Sequence, residues 1–174
     1  MVVLETERLI LRHLEPGDGG FILRLLNEPS FLQNIGDKGV RTVEQAVHYL
    51  VEGPIKSYEV HGHGLYLVAL QGSQAPVGMC GLIKRDLFQD VDLGYAFLPE
   101  FWGRGYAVES GAAVLAWGRR TLGLTKVIAV VTPTNAGSIK VLERLGFSFS
   151  GFTRMPPDPS DVSLYELSYE AAPG

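Results

Sequence analysis

PEFWGRGYAVES, residues 99–110, follows an apolar, strand-like run, VDLGYAF (Val91–Phe97), and leads into a segment that reads as a helix. Its two glycines, Gly103 and Gly105, flank Arg104. Glycine packs nothing and loses the most conformational freedom on folding, so the pair implies a tight turn or close approach of another group to the backbone. A strand entering a helix through such a loop leaves N–H groups free at the positive end of the helix dipole, which is a phosphate-binding arrangement. Two nucleotide motifs of this type fail. A dinucleotide fingerprint begun at Gly103 needs glycine where the chain has Val108, and a P-loop needs Gly-Lys-Ser/Thr where it has VES.

The segment after the loop places Val108, Ala112, Leu115 and Leu122 on one stripe. Glu109 lies in its first turn, Arg119 and Arg120 in its last, and Gly123 just beyond, which predicts a helix to about Leu122. Downstream, KVIAVV (126–131) reads as a buried strand and NAGSIKVLERLG (135–146) as a helix with an Asn cap and a Gly stop. FSFSGF and SLYELSY read as strands around the loop RMPPDPSD (154–161). Upstream, ERLILRHL (7–14) reads as a strand and FILRLLN (21–27) as a helix ended by Pro29. Thr42 and Gln45 form a capping box for a second helix, with Val43, Val47 and Leu50 on one face, which Gly53-Pro54 stops. Strands follow at 65–70, 77–83 and 91–97, the first two joined by the hairpin turn QGSQAP. The order β-α-α-β-β-β-α-β-α-β-β predicts a mixed sheet with helices on its faces.

Length and composition bound the function. A chain of 174 residues reads as one domain spanning residues 1–174, and 46% apolar with 20% charged residues is too apolar for a disordered chain. Fifteen basic against nineteen acidic residues, net −4, argue against a nucleic-acid surface and tolerate a cationic substrate. A lone cysteine, Cys80 in an apolar stretch, excludes an internal disulfide and fits buried packing in a reducing compartment. No apolar run approaches the ~20 residues of a membrane span, and MVVLETERLI lacks a signal pattern, so a cytoplasmic protein without a membrane partner is expected. His61 and His63 in VHGHGLY would share a face of a strand, but zinc needs three or four ligands. His13, His48 and Cys80 lie on other elements, so a Gly-rich loop without metal is expected.

The Gly103–Gly105 stretch resembles the coenzyme A loop of the GNAT acyltransferases. TERLILRHLEPGD, VDLGYAFLPEFWGRGYAVES and NAGSIKVLERLGFSFSG resemble, in order from Thr6 to Gly151, the opening, the strand–loop–helix and the N-x-x-S…L-G-F segment of the family's RimJ/RimL-like branch. The resemblance implies an α+β fold with a mixed, mostly antiparallel twisted sheet of about seven strands and about four helices. It implies acetyl transfer from acetyl-CoA to a primary amine by direct attack, with no metal. The acceptor is read as a protein or peptide α-amine; a small amine such as an aminoglycoside or polyamine, or a non-catalytic acyl-CoA-binding module, are the alternatives. Family members form dimers, so a homodimer is compatible. An α-amine, with pKa near 8, is neutral in a useful fraction at pH 7, whereas lysine near 10.4 is not.

The same resemblance assigns roles. Backbone N–H groups around Arg104, Gly105, Tyr106 and Ala107 would wrap the pyrophosphate, which a Cβ at Gly103 or Gly105 would obstruct. Arg104 either adds charge to a phosphate or is solvated. Trp102 replaces the Gln or Arg of many members and is read as packing. The strand end at Phe97 and Leu98 would pair with the pantetheine arm, one of their N–H groups polarising the thioester carbonyl. Asp92 is either a base acting through water or a solvated carboxylate, and Glu100 a lesser candidate. Asn135 would cap its helix and bond the pantetheine arm. Ser138 would place its hydroxyl near the sulfur or bond its own backbone. Leu142 stands where many members carry an acidic tyrosine, leaving Ser138, water or another tyrosine as the acid; Tyr95 and Tyr106 are the candidates to face the cleft. Phe31–Val40 and Pro54–Gly64 would build the acceptor cavity.

Overall fold

The computed structural model describes residues 1–169. Eight strands form one sheet: β1 (Val2–Glu5), β2 (Leu9–His13), β3 (Leu65–Leu70), β4 (Pro76–Ile83), β5 (Asp92–Phe97), β6 (Lys126–Val131), β7 (Ser148–Arg154) and β8 (Asp161–Ser168). Their order is β1-β2-β3-β4-β5-β6-β8-β7, antiparallel throughout except for β5 beside β6. Six helices flank it: α1 (Gly19–Leu26), α2 (Pro29–Asn34), α3 (Val43–Leu50), α4 (Lys56–His61), α5 (Tyr106–Leu122) and α6 (Ala136–Arg144).

Alternation along the strands sends side chains into two cores. Leu9, Leu11, Tyr66, Val68, Leu93 and Phe97 pack with Val114 and Leu115 of α5 and Leu142 of α6. Leu67, Ala69, Met79, Ala96 and Leu98 pack on the other face with Ile22, Leu25, Phe31, Ala46 and Leu50 of α1 to α3. Cys80 is wholly buried in the first core, where burial pushes its thiol up to about 12.

Four expectations need correction. β1 is an additional strand, too short and too exposed at both ends to signal itself. The helix before Pro29 ends as expected, at Leu26, but Pro29 also begins an additional helix, α2, because its fixed φ and missing N–H suit a first helical position. Gly53-Pro54 does not stop the chain's helical course: a wide π turn, Val51–Ile55, takes in Pro54 and hands over to α4. Thus Val60 and His61 belong to a helix, and the loop begins only at Gly62 (φ +79°). On α5 the buried face is Ser110, Gly111, Val114, Leu115 and Gly118, while Val108 and Leu122 are half-buried and Ala112 is exposed. Small residues make that contact. A Cβ on Gly118 would lie 2.6 Å from Leu82 Cδ1, and one on Gly111 2.8 Å from Leu145 Cδ1.

The cap at Thr42 forms: Gln45 N–H donates to Thr42 Oγ1 at 3.1 Å, while Gln45 Oε1 accepts from Arg41 N–H instead of Thr42's own. Replacing Thr42 with alanine should cost about 1 kcal/mol, read as a lower urea midpoint at unchanged slope. Among the described residues no helix is long and apolar enough to cross a membrane.

Candidate active site

β5 and β6 run parallel but share a single register pair, Asp92 with Ile128, closed by Ile128 N–H donating to Val91 O at 3.0 Å. Beyond it the strands part. The gap opens into a cleft of about 1560 Å³, bordered by Leu93–Phe97 on one side and Ala129–Val131 on the other. Both segments read from the sequence as acceptor-cavity builders reach it, through Phe31 and Lys38 on one side and Pro54 and Gly64 on the other.

The direction of each backbone group on β5 follows from two bonds. Val91 O faces β6, and Leu98 N–H donates to Val77 O at 3.0 Å on the β4 side. Alternation in an unbroken register then turns the N–H groups of Leu93, Tyr95 and Phe97 to the β6 side; the parallel pair with Ile128 takes up that of Leu93, and those of Tyr95 and Phe97 reach the gap. Leu98 is therefore not a free donor, which corrects the expectation for that residue. Phe97 keeps its N–H, but its carbonyl accepts from Trp102 Nε1 at 2.9 Å. Trp102 is an exposed indole that closes a strand end and lines the cleft, which corrects the expectation that it packs in the core. The sequence offers Tyr95 as a side chain facing the cleft but not as a backbone donor; the parity of hydrogen bonding with β4 is the signal that finds its N–H.

At the far end of β5 the glycine loop enters α5. Gly103 (φ +74°) and Gly105 (φ +82°, the N-cap) both hold left-handed backbone, which L side chains rarely adopt. A Cβ on Gly103 would meet nothing within 4 Å, and one on Gly105 would lie 3.3 Å from Arg8 Nη2. The turn alone therefore demands glycine, and the space outside Gly103 is open for a ligand. The first helical bond is Glu109 N–H to Gly105 O at 3.0 Å, so the N–H groups of Tyr106, Ala107 and Val108 precede any intrahelical partner. Arg104 points its exposed guanidinium over the Phe101 ring, 5.7 Å from its centroid.

Asp92, at the apex of the gap, is buried rather than solvated. Arg85 Nε donates to its Oδ2 at 2.7 Å, and Oδ1 accepts no hydrogen bond from the described residues. Burial raises its proton affinity more than neighbouring Arg85 lowers it. Three residues on, with its side chain on the opposite face of β5, Tyr95 shares a 2.6 Å hydrogen bond between its hydroxyl and Ser138 Oγ; its hydroxyl is also 3.1 Å from Ser138 O. Burial pushes the Tyr95 phenol up to about 12. Asn135, which lines the cleft, caps α6, its Oδ1 accepting from Ser138 N–H at 3.2 Å, and its amide nitrogen has no acceptor among the described residues. The structure thus brings Asp92, Tyr95, Asn135 and Ser138 to one cleft.

Other candidates fall away. Glu100 is an exposed carboxylate paired with Arg24. Leu142 is core. His63 is buried with Nδ1 2.7 Å from Leu82 O, and the described residues contain no group of three or more His, Cys, Asp or Glu placed to hold a metal.

A family model described as "Acetyltransferase (GNAT) domain" matches residues 8–148. The uncharacterized N-acetyltransferase YoaA of Bacillus subtilis (strain 168) is 26% identical over 171 residues, covering 95% of this chain and 96% of that protein. The crystal structure of an acetyltransferase from Agrobacterium tumefaciens str. C58 superposes with a TM-score of 0.81 at 27% identity, covering 96% of this chain and 94% of that one. RimL, a ribosomal L7/L12 α-N-protein acetyltransferase solved with coenzyme A, shares the fold with a TM-score of 0.81 at 18% identity, over 97% and 98% of the chains. A splayed strand pair, a glycine loop at a helix start and a matched family model agree: the chain is a GNAT acetyltransferase.

Proposed function

We propose that the protein transfers the acetyl group of acetyl-CoA to the α-amine of a protein or peptide, in the manner of the RimJ/RimL-like branch. The residues fit the coenzyme. Free N–H groups from the glycine loop through Val108 suit the pyrophosphate, and the backbone edge of Tyr95 and Phe97 suits the amides of the pantetheine arm.

The positions along β5 order the chemistry. At about 3.3 Å per residue, Phe97 lies about 16 Å from Asp92, too far for one water to link a base there to a thioester polarised by Phe97 N–H. Tyr95 N–H, about 10 Å along, is close enough. The thioester carbonyl therefore rests on Tyr95 N–H, and Phe97 N–H holds the pantetheine arm. Asp92 Oδ1 takes a proton through water from the amine, which enters from the α1–α4 face. The thiolate leaves toward α6, against the Ser138–Tyr95 hydroxyl pair, which stands in for the tyrosine that Leu142 replaces.

The observation that carries the acceptor class is the charge pairing in the cleft. Of the six carboxylates that line it, Glu28, Asp37, Glu52, Asp92 and Asp161 are paired with Arg24, Arg41, Lys56, Arg85 and Arg154, and Asp158 alone has no cationic partner among the described residues; Lys38 lines it with no carboxylate partner among them. A polyamine or aminoglycoside needs free carboxylates for its several charges; one α-amine needs one base. Thiol release from acetyl-CoA should therefore appear with peptides, vanish when their N-terminus is blocked, and stay at the hydrolysis level with spermidine or kanamycin-type amines. Release with small polyamines alone would reverse the assignment, and tight acetyl-CoA binding without turnover on any amine would make the chain a binding module.

A further inference from the structure

We propose that Arg8, in the turn between β1 and β2, is a positioning residue that aims the glycine loop at the coenzyme's phosphates; this rests on the reading of that loop as the pyrophosphate site. Arg8 Nη1 donates to Arg104 O at 2.8 Å. In a trans peptide the carbonyl and the following N–H point in opposite directions, so holding Arg104 O toward Arg8 turns Gly105 N–H outward. Arg8 Nε donates to Glu109 Oε1 at 2.7 Å, and Arg8 N–H and Thr6 Oγ1 donate to Oε2 at 3.1 Å and 2.5 Å. Glu109 sits in the first turn of α5, where a bare carboxylate would oppose an incoming anion; Arg8 cancels that charge. The guanidinium also lies 4.7 Å from the centroid of the Tyr106 ring, the first residue of the helix.

One side chain thus fixes a loop carbonyl, neutralises a helix-terminal carboxylate and covers the first helical residue, from a position about 100 residues away in sequence. Its side chain is 45% exposed, and an exposed ion pair contributes little to fold stability, so so much engagement there points to the loop's geometry. Lysine would restore the charge opposite Glu109 but lacks the fork that reaches both Glu109 and Arg104 O.

The test compares acetyl-CoA with S-acetylpantetheine, which has the same reacting end and no pyrophosphate. Arg8→Ala should raise KM for acetyl-CoA at least tenfold, with kcat and the parameters for S-acetylpantetheine within twofold of wild type. Arg8→Lys should fall between, and Glu109→Gln added to Arg8→Ala should recover part of the loss. Equal losses with both substrates, or an unchanged KM for acetyl-CoA in a variant that melts like wild type, would overturn the proposal. Calorimetry of the wild type with coenzyme A separates the two levels: no binding there overturns the pyrophosphate reading itself, and the role of Arg8 with it.

Discussion

Replacing Asp92 with asparagine is expected to lower kcat for peptide acetylation by about 100-fold or more, the usual contribution of a positioned general base. Asparagine keeps the shape and still accepts from Arg85 Nε, so coenzyme affinity and melting temperature should change little. The pH profile identifies the role. Because burial outweighs Arg85 and raises the proton affinity of Asp92, the acid loss of kcat/KM should begin at higher pH than an exposed aspartate would give. The carboxylate is the active form, so the rate rises with pH through that point. The acceptor amine gives a second limb of the same sign, and the comparison separates them: the limb that survives in Asp92→Asn belongs to the amine. Arg85→Gln removes the charge that favours the carboxylate and should move the Asp92 limb to higher pH. An Asp92→Asn variant within tenfold of wild type would reduce the pair to a structural tie between β5 and the loop after β4.

The features that could be read ahead of the structure are those written in local chemistry. Gly103 and Gly105 are glycines because the backbone there is left-handed, and Asn135 and Thr42 are caps because their side chains bond the N–H three residues on. What escaped depends on neighbours. Whether Phe97 or Leu98 offers its N–H to the cleft is decided by the hydrogen bond of Leu98 to Val77, a property of strand pairing. The burial of Asp92 comes with Arg85, seven residues back, folding onto it across the loop after β4, and the Ser138–Tyr95 contact joins residues 43 apart; neither is written in local spacing. The faces of α5 were misread because bulk was counted where Gly111 and Gly118 make the contact. Pro54 misled in a different way, since a π turn absorbs a residue that an α-helix rejects.

Gly103 allows the two reasons for a glycine to be separated by experiment. Its φ of +74° makes a conformational demand, and the open space beyond its missing Cβ gives room for a ligand. Asparagine tolerates left-handed backbone better than other side chains, whereas valine, branched at Cβ, does not. Gly103→Val should therefore destabilise by about 1–2 kcal/mol on backbone grounds alone. Gly103→Asn should melt within a few degrees of wild type, since its side chain enters empty space. If the coenzyme's pyrophosphate packs against this backbone, the asparagine occupies its place, and coenzyme A affinity should fall at least tenfold, about 1.4 kcal/mol. Undiminished affinity in a stable Gly103→Asn would mean that the glycine serves the turn only and that the phosphates approach through Tyr106, Ala107 and Val108. The loss is expected, because the loop holds its backbone open to solvent at the one point where helix α5 offers three unbonded N–H groups.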